Sequence, residues 1–371
     1  MKWFPRWVEI SVLILASCLG LRASIAQAGR LSACEQPQVV RDPAAALVDA
    51  FRTHRVVLLG EVHRSAEMHA FMRALIASPE FGRVVDDIVV EATNVRYQSL
   101  LDRYIAGDSV PRDSLRLVWR NSTQLMLWDS PLYEELIETI RDANRKLPSR
   151  HKMRVLASDP PIDWRAVNTP SDFPKSFGYR DWQTTEVIER EVLARNHRAL
   201  VIIGTAHIGR SSPRADSAPI PTERESVGEA LARKHPGAAY VVHTVVGSVS
   251  PELETTVRDL AAANTLIPIA GTSLANKNSS LLFGKSITLF RNINGHRTAI
   301  TLNADAMPPL GAVIDGILYL GPYSHEILPE ASLYLDDPQY LAEIRRRIAI
   351  LTKVYGGDFW SDELNAIIKR R

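Results

Sequence analysis

The chain has 371 residues, with 44 Lys plus Arg against 42 Asp plus Glu, 46% hydrophobic residues and two cysteines. It is too apolar and charge-balanced to be disordered, too poor in Cys for a disulfide scaffold, and too near neutral for a dedicated nucleic-acid binder. A globular protein is left, of one large domain or two.

In chain order, the first segment reads as one to be removed. Lys2 and Arg6 make a positive start, Ile10 to Leu21 is mostly apolar, and Ala26-Gln27-Ala28 is a small-x-small cleavage site, the layout of a secretory signal. A membrane anchor fits less well, because Glu9 and Arg22 bound an apolar run shorter than the roughly 20 residues that span a bilayer. Leu15-Ala16-Ser17-Cys18 fits a bacterial lipoprotein box and ranks second, the apolar stretch before Cys18 being short. The expectation is an exported protein, periplasmic or extracellular, with a signal over 1–28, one mature domain over 29–371 and no integral span. Removing Lys2, Arg6, Arg22 and Glu9 leaves 41 basic and 41 acidic residues, and Cys34 alone rules out an intramolecular disulfide.

Val56-Val57-Leu58-Leu59 reads as a buried strand ending in Gly60, followed by the helical stripe Met68, Phe71, Met72, Leu75 and Ile76. Ile88-Val89-Val90 is a second strand. Ser130-Pro131 opens a helix through Leu132, Leu136, Ile137 and Ile140, and Arg154-Val155-Leu156-Ala157 is a third strand. Thr184 or Thr185 caps a further helix leading to the strand Ala199 to Ile203. This β-α repetition, with runs apolar on both sides, predicts an α/β fold: a mostly parallel central sheet with helices on both faces. Tyr240 to Val246 and Gly316 to Leu320 read as later strands, and 286–302 as a hairpin around Asn294-Gly295. Helices over 338–352 and 361–369 end the chain.

Three strand ends carry unusual polar residues: Gly60-Glu61-Val62-His63, Glu91, and Gly204-Thr205-Ala206-His207. In an open parallel sheet the carboxyl ends of the strands converge on one crevice, so Glu61, His63, Glu91 and His207 are expected to meet there. Imidazoles with carboxylates suit Zn, Fe, Mn or Ni with an open position for water. Without a metal the same set supplies a general base and acid. A lone His after a strand is more often a satisfied loop residue, and recurrence at several strand ends is what sets this group apart.

The segments "VVLLGEVHRSAEMHAFM" at 56–72, "DIVVEA" at 87–92 and "ALVIIGTAHIG" at 199–209 together resemble the erythromycin esterase-like, ChaN-like and TraB/Tiki superfamily. "SPLYEELIETIRDANRKLPSRHKMRVLASD", ending at Asp159, and "DGILYLGP" at 315–322 extend the resemblance over about 50–325. It implies an α/β fold and one of several activities, since that group includes esterases that open macrolide lactones, Tiki-type metal-dependent proteases and ChaN-like exported haem binders. It also implies Glu61, His63, Glu91 and His207 as the functional core. His69 matches a second histidine of many members, placed in the site or at its rim. Asp159, at the third strand end, reaches the crevice or caps the next element. Arg96 and Arg190 rank below these as anion clamps.

The first functional reading is an exported hydrolase of a small-molecule or peptide substrate, in which a metal-bound or Glu-activated water attacks an ester, lactone or amide carbonyl. The second is non-covalent haem binding through a Tyr or His, although no Cys-x-x-Cys-His motif is present. The third is an inert envelope interaction protein. The aromatic-rich segments 108–129 (Trp119, Trp128) and 160–182 (Trp164, Trp182) and the Pro/Ser-rich 209–224 read either as covers over a site or as core packing. Arg345-Arg346-Arg347 reads as a solvated helix face.

Overall fold

The computed structural model describes residues 39–173, 180–211, 225–247, 250–282, 288–293, 296–301 and 307–370. Its strands are β1 Val56–Glu61, β2 Asp87–Asn94, β3 Arg154–Asp159, β4 Ala199–Gly204, β5 Ala239–Val246, β6 Thr265–Pro268, β7 Thr288–Ile293, β8 His296–Thr301 and β9 Gly316–Gly321. Seven of them form one sheet in the order β3-β2-β4-β1-β5-β9-β6, while β7 and β8 pair as a separate hairpin. Every pairing in the large sheet is parallel except the antiparallel β6 against β9. The expected α/β class is the one found. The turn at Asn294-Gly295 and the signal segment lie outside the described residues.

The runs Val56 to Leu59 of β1 and Ala199 to Ile203 of β4 are apolar throughout because both faces of these central strands are covered. Val57, Leu59, Ile88, Val90, Leu200 and Ile202 enter one core cluster. Their neighbours Val56, Leu58, Val89, Val201 and Ile203 enter another on the opposite face. Alternation by two thus divides each strand between two cores, and burying a Val or Leu side chain contributes about 1.5–3 kcal/mol. The helix Ala66–Ala77 starts at Ser65, whose hydroxyl accepts from the Met68 N–H at 3.2 Å, and buries Met68, Met72, Leu75 and Ile76 of the stripe together with His69, while Phe71 is half-buried. The helix Pro131–Lys146 begins where Ser130-Pro131 placed it.

Other expectations change. Thr184 and Thr185 are buried inside the helix Arg180–Val187 rather than at its start, and the Thr185 hydroxyl bonds back to the Asp181 carbonyl. This helix continues as a π-helical segment, Ile188–Leu193, which no hydrophobic spacing announced. Trp119, Trp128 and Trp164 are buried, so packing rather than cover is their role, whereas Trp182 is exposed. Arg347 is buried too, donating to the Arg120 carbonyl, the Asn121 side chain and Glu343, so of the 345–347 run Arg345 is solvated, Arg346 is half-buried and Arg347 faces the interior. It belongs to a third core, where the helix Pro338–Tyr355 and the helix Ser361–Ile368 pack on Met126, Ile162 and Trp164.

Each rim of the sheet is interrupted by a residue that takes up edge hydrogen bonds. At β6, Val40 exchanges two backbone hydrogen bonds with Leu266, at 2.9 and 3.0 Å. At β3, the Gln98 side chain donates to the Val155 carbonyl and accepts from the Ala157 N–H, both at 2.7 Å, as a neighbouring peptide would. No helix among the described residues is long and apolar enough to cross a membrane.

Candidate active site at the carboxyl ends of the strands

β1 and β4 are neighbours in register, Glu61 opposite Gly204, and β2 flanks β4 on its other side. The ends of these three strands are therefore side by side, which brings Glu61, His63, Glu91 and His207 together as their positions implied. Gly204 is needed here, because a Cβ would lie 2.8 Å from His63 Nε2. Gly228 is needed behind the His207 turn, where a Cβ would fall 1.8 Å from the Ile208 carbonyl oxygen.

Glu61 is buried and fully engaged. Its Oε1 accepts from Tyr133 Oη and from His69 Nε2, both at 2.9 Å, and its Oε2 lies 3.2 Å from His63 Nδ1. Burial opposes its ionisation, but His63 and His69 outweigh this and hold the carboxyl far below the usual range. His69 is thus neither a rim residue nor exposed; it anchors Glu61. Around them runs a chain of edge-to-face rings, with Trp128 between His63 and Tyr133, and Tyr133 between Trp128 and His69.

Glu91 is the second hub. Its Oε2 accepts from the Gly204 N–H at 2.8 Å, and its Oε1 lies 3.1 Å from Arg180 Nη2. The same Nη2 is 2.9 Å from Asp159 Oδ1, so one buried guanidinium holds two carboxylates. Asp159 therefore reaches the crevice. His207 turns its Nδ1 to Asp181 at 2.6 Å. Its Nε2 faces Glu91 Oε1 at 3.9 Å, and His63 Nε2 faces Glu91 Oε2 at 4.0 Å. The geometry is two imidazoles, each backed at Nδ1 by a carboxylate, with both Nε2 atoms turned towards one glutamate.

Burial disfavours charge on both imidazoles, yet Glu61 raises His63 and Asp181 raises His207, the latter to about 8. For Glu91, burial is outweighed by Arg180, His207 and His63, and its pKa is lowered. Asp159 is pushed up by burial, to about 6, against the pull of Arg180. A raised folded-state pKa stabilises the fold below the unfolded value and loses that contribution as pH rises through the folded one. His207 should therefore stabilise the protein fully below pH 6.5 and cease to do so above about 8. Urea midpoints at about pH 6 and about pH 9 should differ by about 1 kcal/mol more in the native chain than in His207→Gln, after allowance for the part-exposed imidazole. Equal pH slopes in the two proteins would remove the His207–Asp181 pair from the account.

The expected metal set, Glu61, His63, Glu91 and His207, lies together at the strand ends, but among the described residues no group of three His, Cys, Asp or Glu is arranged to hold an ion. The physical reason is that the oxygens of both glutamates already face donors of this chain, and Arg180 takes the Glu91 oxygen that a cation between Glu91 and His207 would share. For haem, the two Nε2 atoms look onto a carboxylate within 4.0 Å, so as arranged neither is an axial ligand. Arg96 and Arg190 lie elsewhere, paired with Asp163 and Glu191. The clamp is Arg180, which sequence reasoning missed together with Asp181 and Tyr133. Arg180 and Asp181 open the helix Arg180–Val187, about twenty residues beyond the end of β3, and no spacing in the sequence ties them to Glu91 or His207.

Residues 47–176 match a family described as haem-binding uptake, Tiki superfamily, ChaN, so the chain resembles that superfamily over this stretch. Among solved structures, a succinoglycan biosynthesis protein superposes with a TM-score of 0.54 at 12% identity, over 79% of this chain and 95% of that one, a likeness of fold. A mutant of the erythromycin esterase EreC in its open conformation gives 0.47 at 12% identity, over 76% and 94%. ChaN of Campylobacter jejuni with cofacial haem gives 0.36 at 12%, over 55% and 86%. No curated protein matches the sequence.

Proposed function

We propose that the protein is an exported hydrolase that opens an ester, lactone or amide by general acid-base chemistry at His63 and His207. The observation carrying this reading is the paired arrangement of the imidazoles, each oriented by a carboxylate and each presenting Nε2 to the same space. Neutral His63 takes a proton from water as the water oxygen bonds to the carbonyl carbon. The Nε2–H of protonated His207 stabilises the resulting oxyanion, and imidazolium His63 returns its proton to the leaving oxygen or nitrogen as that bond breaks. Glu61, with Oε1 held by His69 and Tyr133, sets Oε2 beside His63 Nδ1 and favours the charged form of that imidazole; it is not itself the base. Arg180 holds Glu91 ionised beside the reacting groups and opposes the protonation that burial favours at Asp159. The sequence layout up to Ala28 supports export.

The match over residues 47–176 favours a second reading, haem binding without turnover. One experiment separates the two. The chain from residue 29, purified without chelator, is assayed on a panel of aryl esters, lactones and peptides, analysed for metal, and titrated with haem. Turnover that survives chelator, declines above about pH 8 and disappears in both His63→Ala and His207→Ala is the expected result. A Soret band on haem addition with no turnover would replace it with the haem reading, and stoichiometric metal lost in those variants would restore the metal-dependent form.

A further inference from the structure

A cavity of about 560 Å³ opens at the β3 rim of the sheet, and none of its wall residues belongs to the Glu61–His207 cluster. It lies where the two helical layers overhang the edge. Ile105 and Ala157 reach it from one core, Leu156 and Val187 from the other, and Gln98 closes the strand between them. Its size is that of a small-molecule site, within roughly 300–1,000 Å³.

The wall has two characters. Deep in it are apolar side chains, while Lys152, Arg154, Arg190 and Arg195 stand against Asp102 and Glu191. Glu191 alone meets three guanidiniums: Arg190 Nε and Arg195 Nη2 at 3.0 Å and Arg154 Nη1 at 3.4 Å. Arg154 is also held by buried Asp87. Counting Asp87 with the wall, four cations face three carboxylates, and two of the cations, Arg190 and Arg195, have side chains 64% and 52% accessible. The positive excess sits on groups that water, and a ligand, can reach.

The segment carrying Arg190 and Glu191 is the π-helical turn Ile188–Leu193. Its wide hydrogen bonds include Ala194 N–H to the Glu189 carbonyl and His197 N–H to the Val192 carbonyl, both at 2.9 Å, and Asn196 closes it at φ 58°. Such turns are less favourable than α-helix and recur at functional sites. The core packing of Ile188 and Val192 does not call for one, whereas the cavity wall is built from it.

We propose that this rim cavity is a second ligand site, separate from the hydrolytic cluster, for a small amphipathic anion: an apolar ring system or short chain carrying one acidic head group. The apolar body lies against Leu156, Ala157, Ile105 and Val187, and the head meets Arg190 and Arg195 at the mouth. Nothing in this depends on the catalytic reading.

The test uses 1-anilinonaphthalene-8-sulfonate and its uncharged analogue N-phenyl-1-naphthylamine, titrated by fluorescence into the folded chain, with thermal melts of every variant. The expected result is one saturable site for the sulfonate. Arg190→Glu/Arg195→Glu should weaken the sulfonate by about tenfold or more and leave the neutral analogue within about twofold. Ala106→Trp, at an exposed wall position, should weaken both probes, and His207→Gln neither. Absence of saturable sulfonate binding, or an affinity unchanged by both the double charge reversal and Ala106→Trp, would overturn the proposal. So would loss of binding in His207→Gln, which would put the probe at the strand ends instead. Should the double reversal melt early, Ala106→Trp decides alone.

Discussion

Arg180→Ala should lower unfolding free energy by about 3–5 kcal/mol at neutral pH, the size expected when one partner of a buried ion pair is removed and the other is left behind. Here two partners are left. Glu91 and Asp159 share the guanidinium at 3.1 and 2.9 Å and are themselves almost wholly buried. The pH dependence identifies the cause. With Arg180 present Glu91 has a lowered pKa, so its contribution exists above its unfolded value and is lost only as pH falls through the folded one. Without Arg180 both carboxylates take up protons more readily, and acid relieves the strain. The deficit of Arg180→Ala relative to the native chain should therefore shrink between about pH 7 and about pH 5. Urea unfolding at the two pH values checks this, and a deficit equal at both would mean that Arg180 acts through packing rather than charge.

Glu61→Gln is expected to have the largest effect on turnover, about 10²–10⁴-fold in kcat, because it removes the charge that orients His63 and favours its protonated form. The fold should also weaken, by about 1–3 kcal/mol, since an amide offers one acceptor oxygen where His69, Tyr133 and His63 need two. Glu61→Ala should lose more stability than Glu61→Gln. His69→Ala, which leaves His63 on the opposite oxygen, should cost less activity than either. Kinetics on an ester found in the panel, together with urea midpoints, order the three. Were His69→Ala to abolish turnover while Glu61→Gln kept most of it, the assignment of His63 as the carboxylate-backed base would be wrong.

The parts of this site that were legible are those fixed by one strand and its next few residues. A buried run, a glycine and then Glu61 or His207 can only end at the carboxyl edge of a parallel sheet, and the register of β1 on β4 converts those sequence positions into proximity. Arg180 and Asp181 were hidden because they serve Glu91 and His207 from a helix start with no tie in spacing to either. Tyr133 was hidden differently. It follows Leu132 on the apolar stripe of its helix, where an aromatic looks like packing, and only the fold shows its hydroxyl on Glu61. The π-helical turn has no compositional signature, since 187, 191 and 195 share a face in either helix type.

The two single-residue closures of the sheet bear on how the molecule behaves in company. A seven-stranded sheet left open would offer two seams along which a stranger's strand could be stitched, and here each seam is interrupted, by Val40 or by the Gln98 side-chain amide. The protection of these edges thus comes from residues far apart in the chain. Gln98 also lines the neighbouring cavity, so the wall of that cavity and the stopper of this seam are one side chain.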